Sequence, residues 1–238
     1  MRRNFLFLSA VIGLLFSSRM EARNIYVLSA GVSDYPGTAN DLNLPANDAK
    51  AICRLYRTNS GAKVVLLTNS NATKAHILDE ARRLFKQAAE DDIVVFFFSG
   101  HGYNGGFAAY DEGISYDEVR KLFSVCKARN KMIFADACFS GDIRENGRSG
   151  GPRRDNVLLF LSSRSNETSI ESPSMKNGYF AACLIRALKG GADLNHDRMI
   201  TAKELFSAVS SGVKSLSNDR QHPVMWGNFD GNMPVMVW

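Results

Sequence analysis

The stretch VVFFFSGHGYNGG, residues 94–106, decides how the rest of the chain is read. An uninterrupted apolar run that includes three consecutive phenylalanines has the pattern of a strand buried on both faces, which belongs to a parallel sheet covered by helices. The glycines that follow, Gly100, Gly102 and Gly105, spell a G-x-G-x-x-G, and His101 stands among them. A dinucleotide fingerprint should follow the first strand and open a helix. This one follows the third strand-like run, and the next residues, GFAAYDEG, have no amphipathic period. The loop therefore reads as a setting for His101 rather than a phosphate cradle.

Working outward, similar runs occur at NIYVLSA (24–30), KVVLLT (63–68), KMIFAD (131–136) and VLLFLSS (157–163), with a last short strand at 224–226. Helical periodicity lies between and after them, at 45–56, 74–89, 116–128, 179–188 and 202–216. The alternation predicts an α/β fold, an open, mostly parallel six-stranded sheet with helices on both faces.

The first 22 residues have a different character. Arg2 and Arg3 precede the twelve-residue apolar segment FLFLSAVIGLLF and a polar stretch, the layout of a secretory signal peptide. Twelve residues fall short of the roughly 20 needed to span a bilayer. The expectation is export to a periplasm or the extracellular space, with no stable membrane anchor and a single domain over residues 23–238. Loss of residues 1–22 lowers the formal charge from +5 to +3, and the basic residues form no long run, so composition gives no reason to expect a nucleic-acid partner. Cys53, Cys126 and Cys183 sit inside apolar helical patterns, as small buried hydrophobes do, whereas Cys138 is set among small and polar residues.

In an open parallel sheet, functional groups collect beyond the carboxyl ends of the strands. Two such ends are FFFSGHG (96–102) and FADACFSG (134–141), which deliver His101 and Cys138. Alternation along a strand groups Ser99 with His101 and Asp136 with Cys138. A thiol beside an imidazole is activated by proton transfer, and adjacent glycines let a substrate carbonyl approach main-chain N–H donors.

These motifs, SGHG at 99–102 and DACFSG at 136–141, resemble the signature of caspase-like cysteine peptidases, and the metacaspase branch in particular. The resemblance extends to GVSDYPG, LNLPANDAKAI, DLNHDRMITAKEL and QHPVMWGNFDG. Caspases proper carry Q-A-C-x-G with the histidine ~50 residues upstream. Here an aspartate takes the first place and His101 precedes Cys138 by 37 positions. The resemblance implies a Cys138 nucleophile, a His101 base, and an oxyanion hole from the amides of Gly102 and Cys138. It also implies a specificity pocket for basic side chains lined by Asp48, Ser99 and Asp136, hence polypeptide substrates cut after Arg or Lys, and a monomer. The Gly- and Arg-rich stretch 141–156 is then placed like a processing linker, with Arg148, Arg153 and Arg154 as sites of self-cleavage.

No cofactor is required by this reading. Residues 193–204, DLNHDRMITAKE, fit a calcium-loop template through Asp193, Asn195, Asp197 and Glu204, although Arg198 stands where the turn wants glycine. The competing expectation is a non-catalytic caspase-like module that uses the cleft, or this calcium-loop segment, for binding.

Overall fold

The structure is a computed structural model and describes residues 23–137, 157–164 and 175–238. Residues 1–22, Cys138 and the 141–156 stretch with Arg148, Arg153 and Arg154 lie outside the described residues.

In chain order the elements are β1 (Ile25–Gly31), α1 (Pro45–Tyr56), β2 (Ala62–Thr68), α2 (Lys74–Phe85), β3 (Ile93–Ser99), β4 (Gly102–Tyr103), β5 (Gly106–Ala108) and β6 (Gly113–Ser115). There follow α3 (Tyr116–Ser124), β7 (Asn130–Asp136), β8 (Val157–Leu161), α4 (Tyr179–Arg186), β9 (Met199–Thr201), α5 (Ala202–Leu216), β10 (Val224–Trp226) and β11 (Pro234–Val237). Six strands form the main sheet in the order β10-β8-β7-β3-β1-β2. Its neighbours are parallel except β10, which runs antiparallel to β8 at one edge.

The alternation of β3 divides its side chains between two cores. Val94, Phe96 and Phe98 pack with Ile77, Leu84 and Phe85 of α2 and Phe123 of α3. Ile93, Val95 and Phe97 pack on the other face with Ile52 of α1, Phe180 of α4 and Val209 of α5. Each buried phenylalanine contributes roughly 1.5–3 kcal/mol through removal from water. The sheet-plus-helices expectation therefore holds on both faces.

The helix ends differ from the periodicity where side chains intervene. α2 ends at Phe85 rather than residue 89, because the buried Asp92 accepts the Ala89 amide at 2.8 Å and the Asn24 amide at 2.9 Å, turning the chain into β3. α3 is opened by a capping box between Ser115 and Glu118 and stops at Ser124, short of residue 128. Five short strands were not anticipated in sequence as such. β4, β5 and β6 form a small antiparallel sheet directly after His101, and β9 pairs with β11. The hairpin accounts for the last two glycines of the opening stretch. Gly105 adopts φ 100° in the turn, and a Cβ on Gly106 would lie 2.2 Å from the Ile114 carbonyl oxygen.

Candidate active site

Three strand ends meet in register at the carboxyl edge of the sheet, with Gly31 of β1 beside Ser99 of β3 and Ser99 beside Asp136 of β7. Ser99 continues the parity of Val95 and Phe97, and Asp136 that of Met132 and Phe134, so both belong to the face covered by α1 and α4. Asp48 arrives on that face from the first turn of α1. The helix sits so close because Gly31 has no side chain. A Cβ there would lie 2.3 Å from the Pro45 carbonyl oxygen and 2.8 Å from the Ala49 Cβ. The first helical amides have their own partner, since Ser33 Oγ accepts from the Ala46 N–H at 2.9 Å, and Asp48 is left to serve something other than a cap.

The result is a buried acidic cluster. Asp48 is 1% exposed, Ser99 2% and Asp136 6%. Ser99 Oγ donates to Asp48 Oδ2 at 3.0 Å, while the Asn177 side-chain amide at 2.7 Å and the Gly178 N–H at 3.2 Å donate to Asp48 Oδ1. Asp136 Oδ2 accepts from the Ala181 N–H, in the first turn of α4, at 3.2 Å. Burial, followed by the charge of Asp136, pushes the Asp48 carboxyl well above the ordinary carboxylate range, and its three donors pull it back only in part. Two desolvated carboxylates this close set an electrostatic demand that a cationic group meets and a neutral or acidic one does not.

His101 belongs to a separate set of contacts. The alternation that ties Ser99 to the α1 face does not carry through to it, because Gly100 turns the chain with φ 155°. A Cβ on Gly100 would come within 2.8 Å of the Tyr35 hydroxyl. That hydroxyl accepts the His101 main-chain N–H at 3.0 Å and donates to the Ala108 carbonyl at 3.1 Å. The Tyr35 ring lies 5.0 Å from the imidazole, and His101 Nε2 is 2.8 Å from the Asn40 carbonyl. A carbonyl accepts only, so Nε2 carries a proton and the neutral ring keeps Nδ1 as its free acceptor. One loop, residues 33–42, thus holds the histidine at its backbone, its ring face and its far nitrogen. The loop is itself tied down by Asn69 Oδ1, which accepts the Ser33 amide, and by the Leu42 N–H donating to Ser33 O.

Gly102 is half-buried at the start of β4, one residue beyond His101. Cys138 lies outside the described residues, two positions after Asp136. The described cysteines, Cys53, Cys126 and Cys183, are free thiols. Burial pushes all three up, Cys183 to about 11, which suits packing and not nucleophilic attack.

The calcium-loop segment is built as an approach to a helix. Asp193 accepts the Asp197 and Arg198 amides, Asn195 Oδ1 accepts the Asp197 amide, and Asp197 Oδ1 accepts the Met199 amide. Glu204 Oε2 accepts the Thr201 amide and hydroxyl in the capping box of α5. Arg198 adopts φ 67° at the position where the template has glycine. Among the described residues, no group of three or more His, Cys, Asp or Glu side chains is placed to hold a metal ion. None of the described helices is long and apolar enough to cross a membrane.

Tyr35, Asn40, Asn177 and Gly178 were not singled out in sequence. Tyr35 lies within GVSDYPG, but its contact with His101 spans 66 positions. Asn40 contributes only its backbone, which carries no residue signature. The Asn177–Gly178 pair had one usable signal, a polar residue and a glycine opening an apolar helix, where free amides collect.

Comparison with known proteins bears on these observations directly. Residues 26–232 match the family model described as the caspase domain. Over 99 residues the chain is 33% identical to a metacaspase-1 of Candida albicans, covering 36% of this chain and 22% of that protein. A metacaspase-1 of Lodderomyces elongisporus matches with the same identity and coverage. The matched part spans only about a fifth of the length of these curated relatives. The solved crystal structure of a protein from Geobacter sulfurreducens shares the fold, with a TM-score of 0.69 at 18% identity, over 90% of this chain and 99% of that one. The family match runs from the second residue of β1 to beyond β10 and takes in the carboxyl edge of the main sheet. The chain belongs to the caspase-domain family of cysteine peptidases, and the curated relatives it resembles are metacaspases.

Proposed function

We propose that the protein is a cysteine endopeptidase that hydrolyses peptide bonds after Arg or Lys, with Cys138 as nucleophile and His101 as base. The observation that carries this reading is the buried cluster of Asp48, Ser99 and Asp136 at the carboxyl edge of the sheet, in which Ser99 and Asp136 end the strands that lead to His101 and Cys138.

A cationic side chain entering the recess pairs with the two carboxylates and positions the following peptide carbonyl for attack. Nδ1 of His101 takes the proton of the Cys138 thiol as sulfur bonds to the carbonyl carbon. The oxyanion formed is received by the amides of Gly102 and Cys138. The imidazolium, its Nε2–H held by Asn40, then gives its proton to the leaving amine, and the C–N bond breaks to leave an acyl-enzyme. His101 next draws a proton from water, whose oxygen attacks the thioester carbonyl, and the thiol leaves with that proton. This sequence routes no step through a metal.

Export by the first 22 residues, a monomeric state and cleavage within 141–156 at Arg148, Arg153 or Arg154 complete the proposal. The test is hydrolysis of matched fluorogenic peptides that differ only at the cleaved residue. Cleavage of the Arg and Lys peptides, abolished in Cys138→Ala, is expected. Faster cleavage of an Asp peptide would overturn the pocket assignment, and no cleavage with or without calcium would favour the binding module.

A further inference from the structure

The acidic recess has a wall that the strand ends do not supply. Asn177 and Gly178, immediately ahead of α4, both donate to Oδ1 of Asp48, from 129 and 130 positions away in sequence. The Asn177 contact, at 2.7 Å, has the length of a charge-assisted hydrogen bond. We infer that Asn177 is a positioning residue of the specificity pocket, the neutral donor that fixes the Asp48 carboxylate for an incoming cationic side chain. The inference rests on the function proposed above and adds to it the element that sets the strength of cation selection.

The residue type matters because of what surrounds it. The groups acting on Asp48 are the Asp136 carboxylate from β7, the Ser99 hydroxyl from β3, and Asn177 and Gly178 from the approach to α4. None of these described groups is a cation. A buried carboxylate is ordinarily paired with a positive side chain of the protein. Here neutral N–H and O–H donors hold it, so its charge is still available to a ligand. Lysine or arginine at position 177 would neutralise the recess from within and compete with the substrate. Aspartate there would add a third negative charge to a pair that already repels. An amide satisfies Oδ1 without doing either.

The neighbouring glycine fixes the same wall. Gly178 has φ −56°, open to any residue, yet a Cβ would lie 2.9 Å from Asp136 Oδ2 and 3.5 Å from Asp48 Oδ2. Absence of a side chain at 178 brings the main-chain N–H against Asp48, and the preceding residue is placed to supply the second donor.

The experiment compares wild type with Asn177→Leu and Asn177→Ala, measuring kcat and KM separately for an Arg peptide between about pH 5 and pH 9. Removing a donor from the ionised carboxylate makes it easier to protonate, so the acid limb of 1/KM moves to higher pH. In Asn177→Leu, KM rises about tenfold at the acid end, the scale of one lost hydrogen bond to a charged group, and recovers towards wild type at the alkaline end. The kcat stays within about twofold, because the dyad is untouched. Asn177→Ala, which admits water, shifts the same way by less and carries the test if the leucine variant does not melt cooperatively. A uniform loss of kcat across pH, or an unmoved acid limb in an active variant, would overturn the inference. A wild-type enzyme with no preference for Arg would instead overturn the pocket reading beneath it.

Discussion

Ser99 Oγ donates to Oδ2 of Asp48 across 3.0 Å, joining the end of the third strand to the first turn of the first helix. The bond lies inside a recess where Asp48 also faces the charge of Asp136, and burial keeps the Asp48 carboxyl well above its ordinary value of 3.8. A carboxyl raised in the folded state binds its proton more tightly there than in the unfolded chain. Folding stability is therefore lost as pH climbs from the ordinary value through the raised one.

Asp48→Asn removes that cost along with the function. The variant should melt roughly 2–4 °C above wild type at neutral pH, equivalent to about 1 kcal/mol for a domain of this size. The gap should close as pH falls towards about 4, where both states of wild type are protonated. Cleavage of Arg peptides should fall by at least about a hundredfold, the loss expected when one of two buried counter-charges is withdrawn. Thermal melting across pH, beside kinetics, checks both; a variant less stable than wild type at neutral pH would contradict the electrostatic account.

Tyr35→Phe deletes the hydroxyl between the His101 amide and the Ala108 carbonyl and leaves both without that partner. Stability should drop by about 1–2 kcal/mol. The imidazole loses its fixed approach, so kcat should fall about tenfold with KM nearly unchanged. A change confined to KM would place Tyr35 in substrate binding instead.

Gly178→Ala tests space and not backbone freedom, because the φ of residue 178 suits any side chain. The added methyl must displace the Asp136 carboxylate, which stands 2.9 Å away. KM for an Arg peptide should rise by roughly tenfold, while far-ultraviolet circular dichroism stays that of wild type. Unchanged KM would show that the carboxylate can move without consequence.

Self-processing predicts fragments with new C-termini at Arg148, Arg153 or Arg154. Mass spectrometry of the wild-type protein should find them, and a Cys138→Ala protein prepared in parallel should remain intact. Equal fragmentation of both would assign the cleavage to another protease.

The sheet was legible in sequence because its strands are nearly pure apolar runs; α1, α5 and β10 begin and end where the residue pattern places them. The three pocket residues were reached through family resemblance, and the register of Ser99 with Asp136 shows why two of them meet. What escaped the reading was held by backbone groups or by long-range single contacts. Asn40 acts through a carbonyl, Asn177 reaches Asp48 across the fold, and β4 has two residues, too few to show a period. The glycines of the opening stretch were half explained in sequence. The hairpin turn and the close approach of Ile114 explain the rest.

The most direct test of the central claim is covalent labelling by a peptide electrophile ending in Arg, read by intact-protein and peptide mass spectrometry. One label should appear on Cys138 in the wild-type protein. It should be absent in Cys138→Ala, strongly slowed in His101→Ala and Asp48→Asn, and not reproduced by the same peptide ending in Asp. No labelling of Cys138 under reducing conditions, with or without calcium, or equal labelling by the Asp peptide, would contradict the account.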